Sequence, residues 1–149
     1  MPYRQILYHL VFRTKYSIPA LDLEHSEKLY RYIWGIIKNK NCKLFQINGI
    51  EDHIHLLTDL HPSIALADFV KDIKVASSLW LKESGDFPNF VGWGKGYCAL
   101  TYAYKEKEVI MRYIKNQRIH HHKESFKEEI SRFFRDHHIT DDGYFWKDD

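Results

Sequence analysis

Cysteine is scarce in this chain: only Cys42 and Cys98 occur, with no CxxC spacing. Neither a disulfide framework nor a thiolate zinc site is therefore supported, and two free thiols in a reducing compartment are expected. The amino terminus, Met1-Pro2-Tyr3-Arg4-Gln5, has no signal-peptide layout, and no apolar run approaches the length that spans a bilayer. These absences point to the cytoplasm and to no membrane. No P-loop pattern occurs, so no nucleotide cofactor is expected. There is no internal repeat and no low-complexity segment. The formal net charge is only +2, so a basic surface would have to come from how charge is distributed rather than from its total.

What is present fits an ordinary globular chain. Its 149 residues are 44% apolar and 15% aromatic, enough for one good core and too few for two large ones, so residues 1–149 are read as a single domain. Arg4 through Arg13 is rich in branched and aromatic residues and predicts a first strand, ended by Thr14 through Pro19. Leu29, Ile33, Ile36 and Ile37 recur at helical spacing and predict a helix over 22–40, with Asp22 as cap. Lys43–Ile50 and His53–Thr58 read as two strands joined by the short Glu51-Asp52 step, a hairpin. His61-Pro62-Ser63 opens a second helix with an apolar stripe of Leu66, Phe69, Val70, Ile73, Ala76 and Trp80, ending near Ser84-Gly85. A loop rich in glycine leads to a fourth strand over 97–102. Strand, helix, strand, strand, helix, strand is the ferredoxin-like α+β order: an antiparallel sheet with two helices on one face and the other face free. Two further helical segments follow, about 106–121 and about 125–138, the latter with a Ser125/Glu128 capping box. The end, Asp141 to Asp149, is acidic with an aromatic cluster, readable as a docking tail or a frayed end.

Two constellations carry chemistry. In Glu51-Asp52-His53-Ile54-His55 the strand alternation puts both imidazoles on one face and Ile54 on the other. Two imidazoles on one rigid strand make a plausible incomplete metal site, and Asp52 could orient one of them by a hydrogen bond. A pair of polar residues on a solvated face, beside an exposed turn carboxylate, fits the same letters. In the 106–121 helix, Tyr113 and Gln117 stand four residues apart and share a face. A phenol is a nucleophile only where something takes its proton or stabilises the phenolate, and Gln117 could offer a carbonyl oxygen to a hard cation. Equally, Tyr113 could pack with Val109 and Ile110 on the sheet and Gln117 could face solvent. His120-His121-His122 cannot all chelate one ion while the helix persists, and are read as a helix end favourable to the macrodipole or as added phosphate contacts.

The His53-Ile54-His55 strand, the Trp93-Gly94-Lys95-Gly96-Tyr97 loop, the Tyr113-Ile114-Lys115-Asn116-Gln117 helix and the opening Leu10 to Tyr16 together resemble the HUH-class single-tyrosine transposases of small bacterial insertion sequences, the IS200-like family. Nearly the whole chain is covered, in order. The resemblance implies a ferredoxin-like domain that forms a homodimer, with the tyrosine helix of one subunit able to serve the His pair of the other. It further implies a divalent metal, Mg2+ or Mn2+, on His53, His55 and Gln117, with Tyr113 attacking single-stranded DNA to form a 5′-phosphotyrosine. Tyr102 and Tyr104 lack a glutamine four residues on and are weaker nucleophile candidates. Hairpins at the element ends are the implied substrate, and Arg4, Arg13, Lys15, Lys71, Lys74, Lys95, Lys105, Lys107, Lys115 and Arg118 are the candidate backbone contacts.

Two other readings fit the residues. A non-catalytic nucleic-acid-binding module would stack bases on Tyr8, Phe12 and Phe45 of an open sheet. A domesticated relative or a nickase would keep the chemistry in another role, though the length leaves no room for a helicase or an origin-binding domain.

Overall fold

The computed structural model describes residues 3–148. Its elements run β1 (Tyr8–Arg13), α1 (Ser26–Asn39), β2 (Leu44–Ile50), β3 (His53–Thr58), α2 (Leu66–Ser84), β4 (Cys98–Leu100), α3 (Lys107–Lys115), α4 (Gln117–His120) and α5 (Phe126–Asp136). The four strands form one sheet in the order β2-β3-β1-β4, every neighbouring pair antiparallel. This is the expected ferredoxin-like arrangement. Among the described residues no helix is long and apolar enough to cross a membrane.

Alternation along the two central strands divides the molecule. Leu10 and Phe12 of β1 and Ile54 and Leu56 of β3 point to one side, where they pack with Leu29, Ile33 and Ile37 of α1 and with Phe69 and Ile73 of α2. The alternate positions point to the other side. That side is not free as the strand order alone suggested, because α3, α4 and α5 fold back over it. Val11, Cys98 and Leu100 are buried there against Phe126, Ile130, Phe133 and Phe134, and Leu57 is buried with Ile114. The base-stacking platform therefore does not exist. Phe12 is fully buried in the first core, Tyr8 packs against that same core, and Phe45 belongs to the opposite side with Leu57.

Several boundaries move for local reasons. Residues 22–25 make a turn in which the Asp22 carboxylate accepts from the Glu24 amide at 3.0 Å, so α1 starts later than the apolar spacing suggested. The His61 and Ser63 side chains bond to each other at 2.7 Å in a turn that postpones α2 to Leu66. Its end is as expected, at Gly85 with φ +80°. The helix expected over 106–121 is broken at Asn116, which leaves helical geometry at φ −97°, ψ 19°. Ser125 and Glu128 form the capping box that starts α5. In the β2–β3 hairpin a Cβ on Gly49 would lie 2.2 Å from the His53 carbonyl oxygen, so only glycine lets β2 approach the strand bearing the His pair.

As far as it is described, to Asp148, the acidic aromatic end packs back on the molecule. Phe145 is buried with Phe126 and Phe134, and Arg13, 1% exposed, grips the end from β1. The Arg13 guanidinium donates to the carbonyls of Phe145 and Lys147 and to the Asp148 carboxylate, the last at 2.9 Å. Arg13 is thus a structural residue and not a DNA contact. Lys74, also among the candidate backbone contacts, is engaged within the chain. Its ammonium donates to the carbonyls of Gly94 at 3.0 Å and Gly96 at 2.9 Å, beneath the rings of Phe12 and Tyr97.

Burial, with the nearby charge of Arg13, lowers the Lys74 pKa to about 8. Between that value and the unfolded one the unfolded chain binds more protons, so stability contributed at this position rises with pH. Relative to Lys74→Met, the wild-type protein should gain about 1 kcal/mol from pH 8 to pH 9.5 after solvent screening. Urea denaturation of both proteins across that range checks this; a constant difference would mean Lys74 titrates normally.

Candidate active site

His53 and His55 leave β3 on the side that α4 and α5 cover, and both are fully buried. The chain returns to them twice. First, the Asn48 side-chain amide donates to the Lys115 carbonyl at 2.8 Å, tying the end of α3 to β2. The turn at Asn116 then delivers Gln117, also fully buried, with Oε1 3.2 Å from His53 Nε2. Second, α5 brings Glu129, a carboxylate with no exposure, within 3.1 Å of His55 Nε2 and 3.6 Å of His53 Nε2. Burial of an ionised carboxylate is costly unless it is paired and hydrogen-bonded. Glu129 is so placed, and also accepts from the Gln117 amide at 2.9 Å.

Tyr113, half-buried on α3, meets this group from the other side. Its hydroxyl donates to Glu129 Oε2, accepts from Arg132 at 2.9 Å and lies 3.2 Å from His120 Nε2. Arg132 is held in turn by Glu124, at 3.0 and 3.1 Å. Asp52 stands where the sequence suggested, its Oδ1 2.7 Å from His53 Nδ1. Tyr113, Gln117, His53 and His55 thus converge within one chain. Tyr102 lies beyond His9, its hydroxyl 3.1 Å from His9 Nδ1, and Tyr104 is exposed.

The electrostatics follow from burial among so few countercharges. For His55 desolvation outweighs the attraction of Glu129 and takes the pKa down to about 4. For His53 desolvation is outweighed by hydrogen bonds to Asp52 and Glu129, and the pKa is raised. Burial resists ionisation of Glu129, yet His55 and the hydrogen bonds from the imidazoles hold its pKa well below the usual carboxylate range. Tyr113 is pushed above the usual phenol range by burial and then by Glu129, against the pull of Arg132. Imidazole nitrogens and an amide oxygen aimed at one another, with a carboxylate beside them, suit a divalent cation.

Four residues of this group did not emerge from the sequence as site residues: Glu129, His121, Arg132 and His9. His121 Nε2 is 2.9 Å from Gln117 Oε1 and 3.2 Å from Glu129 Oε1, so one member of the histidine run does join the cluster while His120 turns to Tyr113 and Glu124. Of the other candidate backbone contacts, Lys115 and Arg118 line an open groove beside β2 with Arg31 and Trp34. Arg4 faces Asp59 at 3.9 Å, and Lys15 and Lys95 lie over the rings of Tyr16 and Tyr144.

Comparison with known proteins decides the family. The family model described as "Transposase IS200 like" matches residues 2–117, most of the chain. The chain belongs to the IS200-like transposase family. Among its relatives, the ISDra2 transposase TnpA of Deinococcus radiodurans is 32% identical over 120 residues, 76% of this chain and 84% of the relative. The transposase for insertion sequence element IS200 of Salmonella typhimurium is 31% identical over 115 residues, 74% of this chain and 75% of the relative. A crystal structure of a Deinococcus radiodurans transposase superposes with a TM-score of 0.57 at 29% identity, covering 78% of this chain and 95% of that one. A REP-associated tyrosine transposase bound to a REP hairpin shares the fold, with a TM-score of 0.59 at 12% identity over 81% of this chain and 74% of that one. The family match takes in His53, His55, Tyr113 and Gln117 and ends at Gln117, before His121 and the whole of α5.

Proposed function

We propose that this IS200-like transposase cleaves and rejoins single-stranded DNA at insertion-sequence ends through a 5′-phosphotyrosine on Tyr113. The observation that carries the reading is the convergence of Tyr113 and Gln117 with the buried His pair, around a single carboxylate. His53, His55 and Gln117 would hold a divalent ion, Mg2+ or Mn2+, which when bound supplies Lewis acidity to the scissile phosphate.

The protein's own groups account for the remaining chemistry. Tyr113 Oη attacks phosphorus, and the phenolic proton passes by way of its hydrogen-bond partner Glu129 Oε2 to solvent, since that carboxylate is too weak a base to keep it, while the Arg132 guanidinium stabilises charge on the oxygen. The P–O3′ bond breaks and the strand leaves with a free 3′-hydroxyl once its oxygen takes up a proton from solvent. The new phosphotyrosine retains a phosphodiester, so another 3′-hydroxyl can attack it, release Tyr113 and reseal a strand without a nucleotide cofactor. Asp52 fixes the His53 ring through Nδ1. Because α3 and α4 reach the His pair of their own chain, the same-chain arrangement needs no exchange of tyrosine helices; a homodimer would add a second site for the other element end. DNA hairpins are the substrate this reading implies.

The test is incubation with single-stranded DNA from the flanking element ends, with Mg2+ or Mn2+, followed by a denaturing gel. An adduct should form with single strands and not with the duplex. His53→Ala or Gln117→Ala should slow adduct formation at least about a hundredfold while hairpin binding changes far less. If either variant cleaves at the wild-type rate, the assigned metal ligands are wrong.

A further inference from the structure

The hydrogen-bond partners on the far side of each imidazole say which nitrogen is free. His121 Nδ1 is 2.9 Å from the Glu124 carbonyl oxygen, which can only accept, so Nδ1 carries the proton and Nε2 presents a lone pair. His53 Nδ1 faces the Asp52 carboxylate at 2.7 Å, which fixes the same tautomer in the neutral ring. His55 Nδ1 lies 2.8 Å from His9 Nε2, and His9 has Tyr102 on its other nitrogen, so His55 can donate there and leave its own Nε2 bare. All three Nε2 atoms then point at Glu129 Oε1, from 3.6, 3.1 and 3.2 Å for His53, His55 and His121. Gln117 Oε1 joins them, 3.2 Å from His53 Nε2 and 2.9 Å from His121 Nε2. Five acceptors thus face one buried space, and in these neutral tautomers no imidazole proton points into it, so the hydrogen bond that a protonated ring makes to Glu129 in the metal-free protein would give way to an ion.

These separations match a coordination shell. Donors bonded to one ion at about 2.1 Å lie roughly 3 to 3.4 Å apart along the edges of the shell. The nitrogen and carboxylate donors of His53, His55, His121 and Glu129 all fall within 4.8 Å of one another. The second oxygen of the carboxylate is engaged elsewhere: Oε2 takes the Tyr113 hydroxyl and the Gln117 amide. One side chain therefore faces the cage with one oxygen and the nucleophile with the other.

From this geometry we infer that His121 and Glu129 are additional ligands of the metal site, making with the Gln117 amide oxygen a set of three imidazoles, one carboxylate and one amide that selects a transition ion such as Mn2+ or Co2+ over Mg2+. The inference rests on the metal site proposed above and extends it past the family-matched residues to the end of α4 and into α5. Magnesium favours oxygen ligands and retained water, whereas imidazole donors raise affinity along the first-row series. Glu129 then couples ion and nucleophile. Glu129 would hold an ion through Oε1 while its Oε2 accepts from the Tyr113 hydroxyl, so a bound ion would withdraw charge from the group that holds the nucleophile.

The experiment is direct binding of Mn2+, Co2+ and Mg2+ to the metal-stripped full chain by calorimetry, with no DNA present, together with the visible spectrum of the Co2+ form. Wild type should bind Mn2+ and Co2+ at least about tenfold more tightly than Mg2+, and its Co2+ spectrum should be that of an ion held by several imidazoles. Glu129→Gln and His121→Ala should each weaken Mn2+ binding about 10- to 100-fold. Circular dichroism of the metal-free variants separates ligand loss from misfolding, and the wild-type Co2+ spectrum requires no variant. If both variants bind Mn2+ as wild type does while His53→Ala does not, the added ligands are refuted and the proposed site stands. If wild type binds none of the three ions, the proposed site and this extension fail together.

Discussion

Tyr113→Phe should abolish the covalent protein–DNA adduct, to the limit of detection, and leave hairpin binding within about threefold, since it removes only the attacking oxygen. No other phenol can substitute in place. Tyr102 is separated from the cluster by His9, and Tyr104 lies exposed before α3. The fold should tolerate the change at a cost of about 1 kcal/mol, the net value of one hydrogen-bonded group. Glu129 keeps the Gln117 amide and the imidazoles, and Arg132 keeps Glu124. A gel with single-stranded substrate and metal reads the adduct, and urea denaturation reads the stability. An adduct of undiminished yield would assign the chemistry to another residue, and mass spectrometry of the adduct peptide would identify it.

How much of this was legible in the sequence depended on whether the signal was local. Alternation along His53–Thr58 placed both imidazoles on one face because strand geometry is set residue by residue, and the Ser125/Glu128 box marked the start of α5 for the same reason. Gln117 shared a face with Tyr113 as expected, though the route runs through a break at Asn116 rather than along a continuous helix. The run of three histidines gave no direction, because the break decides which ring turns inward. Glu129 is the instructive omission. It falls within the apolar stripe of Phe126, Ile130, Phe133 and Phe134, four residues before Phe133. A carboxylate at a core-facing position is a signal in its own right, since burial needs partners. What the sequence could not supply was the knowledge that this stripe lies over the His face, because packing of α5 on the sheet is a long-range event. Arg13 differs from its expected role for a related reason: its chemistry suits a phosphate as well as it suits two backbone carbonyls and a carboxylate, and only the return of the carboxyl-terminal segment selects between them.

That segment supplies the largest expected effect on stability. Arg13→Ala should cost about 3 to 5 kcal/mol, because it removes a buried cation and orphans the carbonyls of Phe145 and Lys147 together with the Asp148 carboxylate. Arg13→Lys should recover little of this, since a single ammonium cannot reproduce a planar fork that also lies 5.5 Å over the Trp146 ring. Removing residues 144–149 should cost a similar amount, and the two changes together should cost much less than their sum because they delete the same contacts. Urea denaturation of these four variants beside wild type checks all of this; a loss under about 1 kcal/mol for Arg13→Ala would mean the segment is not seated through the guanidinium. The effect should reach the active site along a short path. Phe145 packs on Phe126, and the Phe126 ring stacks on His53 at 3.6 Å between centroids with 4° between planes. Loosening the carboxyl-terminal segment therefore frees the ring that sets the orientation of His53. Adduct formation by Arg13→Ala should consequently fall more steeply with temperature than that of wild type, even where most of the chain is still folded.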